Sequence, residues 1–155
     1  MEKIDSLNQV AEFHKTFNAP ILNTPQIPSK ERCELRVSLL QEELNELQEA
    51  IADKNIVEIA DALCDLQYVL SGAVLEFGLG EKFPALFNEV QRSNMSKACA
   101  NQQEADETIA FYKEKGEEAF SEISGEKINI HRKSDNKVLK NKYYSPADLK
   151  SILEN

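Results

Sequence analysis

The chain has 155 residues, 41% of them hydrophobic, and a formal net charge of −9 with a pI near 4.8. That length supports one compact domain, and because the 29% charged residues accompany ordered apolar periodicity, wholesale disorder is not expected. So acidic a surface repels phosphate backbones, which argues against polymeric nucleic acid and admits a small polyphosphate only with a divalent cation between it and the protein's carboxylates.

Residues 6–17 carry Leu7, Val10, Ala11, Phe13 and Phe17 at helical spacing, and Asn18-Ala19-Pro20 ends the helix because the residue before proline is pushed out of the α region. A loop punctuated by Pro25 and Pro28 follows. Ser29 reads as the N-cap of a long amphipathic helix marked by Leu35, Leu39, Leu40, Leu44, Leu47 and Ile51. Asp53-Lys54-Asn55 is a tight connection, and residues 56–75, almost continuously apolar, predict a buried helix packed antiparallel on its predecessor. A further helix is expected over 81–93, with Pro84 in its first turn and Phe83, Leu86, Phe87 and Val90 on one face. Another spans 104–115, closed by Gly116.

Beyond Gly116, Ile128 and Ile130, then Val138 and Leu139, flank the turn-forming residues 133–136 and predict a small β-hairpin. The end reads as a loop through Tyr143 and Tyr144 entering a last short helix, with Ser145 as cap and Pro146 at its first position. The expected organisation is a single mainly α domain over 1–155, with a four-to-five-helix bundle-like core to about 116 and a hairpin and tail over about 117–155. Cys33, Cys64 and Cys99 are odd in number and form no C-x-x-C pair, so neither disulfides nor a zinc knuckle is expected and a reducing cytoplasm fits. The opening ten residues are rich in charged and amide side chains, and no apolar run reaches the roughly 18 residues of a membrane span, so neither secretion nor membrane insertion is expected.

Carboxylates carry the chemistry. Glu43 and Glu46 lie three apart on one helical face, with Leu39, Leu40 and Leu47 around Glu43. Such a pair is also what a solvated glutamate run looks like. In the next helix, however, the charged residues between Asn55 and Leu75 are Glu58, Asp61 and Asp65, three and four apart on one line. Like charges on an otherwise apolar helix raise one another's pKa and cost desolvation, and a shared cation removes that penalty. Glu43, Glu46, Glu58 and Asp61 on two antiparallel helices suit Mg²⁺ or Mn²⁺; four acids without histidine argue against zinc. A ferritin-like di-iron site needs Glu-x-x-His, but Ala11 and Ile128 stand three residues before His14 and His131.

Glu42-Glu43-x-x-Glu46 followed by Glu58-x-x-Asp61 resembles the all-α nucleoside triphosphate pyrophosphohydrolases, the superfamily of MazG-like and phosphoribosyl-ATP pyrophosphohydrolase-like proteins. The likeness extends to Glu12-Phe13-His14, to residues 61–72, to Ser93-Asn94-Met95-Ser96-Lys97 and to Lys137-Val138-Leu139-Lys140. The resemblance implies that Glu43, Glu46, Glu58 and Asp61 ligate Mg²⁺, that Glu42 positions or deprotonates the attacking water, and that Asn94 and Lys97 contact phosphate. In the hairpin this chain has Asp135-Asn136 where similar proteins often place glycine after the aspartate; asparagine also tolerates the left-handed conformation.

Other residues keep two readings. Asp65 is a further ligand or an orienter of ligands. Phe13, His14 and Phe17 either line a base pocket or pack in the core. Lys97 and Arg92 either neutralise phosphate or are solvated charges, and Lys140 with Tyr143 and Tyr144 is either a lid over substrate or an ordinary tail. The function expected is Mg²⁺-dependent hydrolysis of a nucleoside or deoxynucleoside triphosphate to monophosphate and pyrophosphate. Phosphoribosyl-ATP as substrate and a non-catalytic metal-binding helical module are the alternatives. Apolar surface on more than one side of the early helices predicts a homodimer or homotetramer.

Overall fold

In the computed structural model, which describes residues 4–154, the chain is mainly helical and ends in a small antiparallel sheet. The first three residues of the stretch read for a leader lie outside that span. The chain forms two compact units, residues 1–84 and 85–155.

The first unit holds α1 (Ser6–Thr16), α2 (Lys30–Ala52) and α3 (Ile56–Glu76). Each begins on a side-chain cap that satisfies a free backbone N–H: Asp5 accepts from Asn8 at 3.3 Å, Ser29 from Arg32 at 3.4 Å, and Asn55 from Val57 at 3.1 Å. Asn18 and Lys54 take φ of 54° where the chain leaves α1 and α2. At the far end of α3, Gly78 has φ of 68°. A Cβ there would overlap the Thr24 carbonyl, so only glycine lets the 20s loop dock by Leu22 N–H to Leu75 O at 3.0 Å.

Arg32 bonds Glu76, and the Arg36 guanidinium lies over Gly72, so the start of α2 faces the end of α3 and the two helices run antiparallel. The expectation that α3 is buried throughout fails. Burial concentrates at Ala62 and from Ser71 to Glu76, whereas Ile56, Val57 and Leu63 are 74%, 70% and 52% exposed. The physical reason is the number of partners: within this unit only α1 and α2 pack on α3, and two helices cannot surround a third.

The second unit contains all but the first two residues of α4 (Phe83–Met95), then α5 (Gln102–Glu114), β1 (Ala119–Ser124), β2 (Lys127–Arg132), β3 (Val138–Leu139) and α6 (Leu149–Glu154). The expected β2–β3 hairpin is present, pairing Ile130 with Leu139 and His131 with Val138, and Asn136 takes the left-handed φ of 60°. Strand β1 was not foreseen. It pairs along β2 from Ala119↔Arg132 to Ser124↔Lys127 but buries almost nothing, so no apolar alternation marks it in the sequence. Ile128, Ile130, Leu139, Cys99 and Ala105 form the core of this unit.

Helix α6 starts later than expected. Ser145 N–H bonds Ser96 Oγ at 3.0 Å and the Pro146 carbonyl accepts from Arg92 at 2.9 Å, which keeps residues 145–147 out of helix. Asp148 therefore caps α6, accepting from Ser151 N–H at 3.1 Å. Among the described residues no helix is long and apolar enough to cross a membrane.

Candidate functional site

Equal steps along α2 and back along α3, starting from the Arg32–Glu76 and Arg36–Gly72 pairs, bring Glu43 level with Asp65 and Glu46 within a residue of Asp61. Glu58 comes level with Ala50, about a turn further on. The electrostatics follow this register. The Glu43 carboxyl is pushed above its ordinary value by partial burial, then by the negative charges of Asp65, Glu46, Glu42 and Asp61. Asp65, ranked behind the other acids from sequence, is the charge that Glu43 feels most.

Glu58 has a local reason to be where it is. It is the third residue of α3, with its N–H 3.4 Å from the Asn55 cap, a position where an acid complements the helix dipole. Among the described residues, no three histidine, cysteine or acid side chains stand close enough to enclose an ion. The donor set is nevertheless all carboxylate, its members repel one another, and a hard divalent cation is the ligand that such chemistry suits.

Glu42 is exposed, unlike the half-buried Glu43, because one residue along a helix turns the side chain by roughly 100°. It lines an open groove of about 690 Å³ along α2, together with Cys33, Val37, Ser38, Gln41 and Asn45. A carboxylate there reaches water freely.

His14, read as a substrate contact or a core residue, is 3% exposed. The Pro20 carbonyl lies 2.8 Å from Nδ1 and can only accept, so Nδ1 carries the hydrogen and Nε2 is left to accept from Arg36 at 3.4 Å. Arg36 and Arg32 both donate to Glu76, which is 1% exposed. Burial alone would raise the Glu76 pKa; hydrogen bonds from Arg36 and Arg32, and their charges, more than reverse it. Sequence reading missed this cluster because Glu76 lies one residue beyond the apolar run and its partners sit a full helix away. Phe13, Phe17 and Tyr68 form an exposed aromatic group beside it, with Phe13 and Tyr68 edge to face at 5.6 Å.

The remaining candidates belong to the second unit. Lys97 Nζ donates to Asn94 Oδ1 at 2.7 Å, and Lys140 Nζ lies 4.2 Å from the centre of the Tyr144 ring. Tyr143 instead bonds Glu107, which also pairs with Lys142.

The sequence profile of the phosphoribosyl-ATP pyrophosphohydrolase family matches residues 10–94, a span that takes in the whole of α2 and α3 with Glu42, Glu43, Glu46, Glu58, Asp61 and Asp65. The chain is also 23% identical to an uncharacterized protein of Acanthamoeba polyphaga mimivirus, over 99% of this chain and 97% of that protein.

Proposed function

The chain belongs to the phosphoribosyl-ATP pyrophosphohydrolase family, within the MazG-like all-α pyrophosphohydrolases, and from that premise we propose that it hydrolyses a nucleoside or deoxynucleoside triphosphate to monophosphate and pyrophosphate with Mg²⁺. The observation that carries this reading is the crowding of Glu43 by Asp65, Glu46, Glu42 and Asp61, a concentration of negative charge that a fold alone has no use for. Glu43, Glu46, Glu58 and Asp61 would hold the cation, with Asp65 beside Glu43 as a further ligand or as the group that orients it. A divalent cation bound there supplies charge neutralisation for the phosphoryl oxygens.

Glu42 takes the proton of the attacking water, from a position that is open to solvent and adjacent to the ligands. The water oxygen forms the new bond to the α-phosphorus in line with the α–β bridging bond. That bond breaks, and pyrophosphate departs with the electron pair. Mn²⁺ satisfies the same donor set.

The family's name makes phosphoribosyl-ATP the second substrate to test. Incubating the protein with the nucleoside triphosphates, their deoxy forms and phosphoribosyl-ATP, with and without Mg²⁺, and measuring pyrophosphate decides between them. Pyrophosphate release from a simple triphosphate is expected. Release from phosphoribosyl-ATP alone would narrow the substrate to that compound, and release from none would favour a non-catalytic module.

A further inference from the structure

Strand β1 is the outer strand of its sheet, whose order is β1-β2-β3, and among the described residues no strand lies beyond it. The register tells which of its backbone groups are spent on β2. Ile128, opposite Ile123, exchanges its backbone bonds with Cys99 at 2.8 and 3.0 Å, and Arg132, opposite Ala119, gives its N–H to the Lys137 carbonyl at 2.9 Å. Lys133, one step further on, donates to the Glu118 carbonyl at 2.9 Å. Bonded and unbonded pairs alternate in an antiparallel ladder, so Phe120, Glu122 and Ser124 bond β2, and the backbone N–H and C=O of Ala119, Ser121 and Ile123 point outward from the open edge.

Natural sheets blunt such an edge with proline, lysine, a bulge or a covering segment. β1 pairs one to one with β2 along all 6 of its residues and contains neither proline nor lysine. Its single charge, Glu122, lies 3.3 Å from His131 Nε2, within its own sheet. The surface beside the edge is open too. Ala119, Ser121 and Ile123 share the face on which Ile128 and Ile130 meet Ile109 and Tyr112 of α5. Ala119 packs at the margin of that core, whereas Ile123, on the same face, is 76% exposed.

We propose that the open edge of β1 pairs antiparallel with β1 of a second copy of this chain, about a two-fold axis through Ser121. An axis that keeps both core faces on one side of the joined sheet must pass level with a residue, because the side chains alternate. Charge and the turn choose which residue. Centring on Glu122 sets that carboxylate against its own copy, and centring on Phe120 sets it against Glu118. Centring on Ile123 carries Ser121 opposite Gly125, whose φ of 61° belongs to the turn. Ser121 avoids all of these. There Ser121 faces Ser121, Ala119 faces Ile123, Phe120 faces Glu122, and each outward pair exchanges two backbone bonds. Ile123 of each chain then lies beside Ala119 of the other, at the margin of that copy's core. This reciprocity favours a second copy over an unrelated strand.

Amide hydrogen exchange of the full chain, followed residue by residue by NMR at rising protein concentration, tests the pairing. Exchange at Ala119, Ser121 and Ile123 is expected to slow several-fold between about 10 µM and about 1 mM, since so small a contact belongs to the weak class. The Phe120 and Glu122 amides, already bonded to β2, should change little. Ser121→Pro removes an outward N–H and no bond to β2, and Ile123→Lys places a charge at the edge; each should abolish the slowing at the outward amides that remain. Glu122→Gln should not strengthen the pairing. Exchange at the outward amides that stays fast throughout overturns the proposal and leaves the edge to a strand of another protein. Protection that dilution does not relieve overturns it in favour of cover by another part of the same chain. Slowing that survives both edge variants, or that Glu122→Gln enhances, overturns the contact or its register.

Discussion

Glu43 is held in its ionised form at a cost, because Asp65, Glu46, Glu42 and Asp61 all oppose its charge and burial opposes it further. Its folded-state pKa lies above the ordinary 4.5, so the stability this group contributes is present below about pH 4.5 and is lost as pH rises through the folded value. In metal-free protein at pH 7, Glu43→Gln should therefore raise the melting temperature. In wild type, Mg²⁺ at a hundredfold excess over its Kd should add about 2.7 kcal/mol, a gain that the variant forgoes. Thermal melts with and without Mg²⁺ check both signs, and a wild-type midpoint that ignores Mg²⁺ would remove the cation from the acids. Glu42, on the open side of α2, should behave otherwise. Glu42→Gln should leave Mg²⁺ affinity nearly intact and reduce turnover by roughly 10² to 10⁴, the range for a lost general base. Metal titration beside pyrophosphate release separates the two residues; equal loss of Mg²⁺ binding would make Glu42 a ligand, and full turnover a bystander. Gly78 is a purely structural counterpart. Gly78→Ala should destabilise by more than the roughly 1–2 kcal/mol that the left-handed conformation alone costs, because the added methyl also meets the Thr24 carbonyl. Denaturant unfolding measures it.

Between elements, the α2–α3 register sets which acids meet, and the buried ions at the opposite end of the pair pin that register. Glu76→Gln leaves Arg32 and Arg36 without their counter-charge in a place where Arg36 Nε already lacks a partner. A loss of about 3–5 kcal/mol is expected, as for a buried pair broken on one side. Because the Glu76 pKa is depressed, its contribution is present above about 4.5 and disappears as pH falls through the lower folded value. Urea unfolding of wild type should thus weaken on acidification in a way that Glu76→Gln does not. The helices themselves were legible, since Ser29, Asn55 and Gly116 punctuate them and 3.6-residue periodicity fills them. The clustering of Glu43 with Asp61 was legible too, because a three-residue connection forces α2 and α3 together. Asp65's rank and the Arg32–Arg36–Glu76 cluster were not, since both depend on a register that spacing within one helix cannot supply. Strand β1 stayed invisible because backbone pairing alone makes it, and Ser145 looked like a cap because its bond to Ser96 is a contact between segments about fifty residues apart.

At the scale of the molecule, the first unit exposes several large apolar side chains on α2 and α3. Val37 is 68% exposed on α2, Ile56 and Val57 are 74% and 70% exposed on α3, and Leu44, Ile51, Leu63 and Leu70 join them at 40–56%. Single exposed apolar residues are ordinary, but seven along two adjacent helices form a stripe, and soluble monomers rarely keep such stripes uncovered. A second copy is the simplest cover, since a two-fold axis lets one stripe meet itself. The stripe also borders the groove lined by Val37 and Glu42, so association would seclude the side of α2 from which Glu42 meets water. The chain is therefore expected to sediment as a dimer or tetramer at micromolar concentration, and Val37→Glu should shift it toward monomer while circular dichroism stays helical. If association assists the chemistry, the same variant should lose turnover more than it loses Mg²⁺ binding, because the acids of one chain remain intact. A wild-type protein that sediments as a monomer at tens of micromolar would rule out the assembly, and a monomeric Val37→Glu with full turnover would confine the reaction to a single chain.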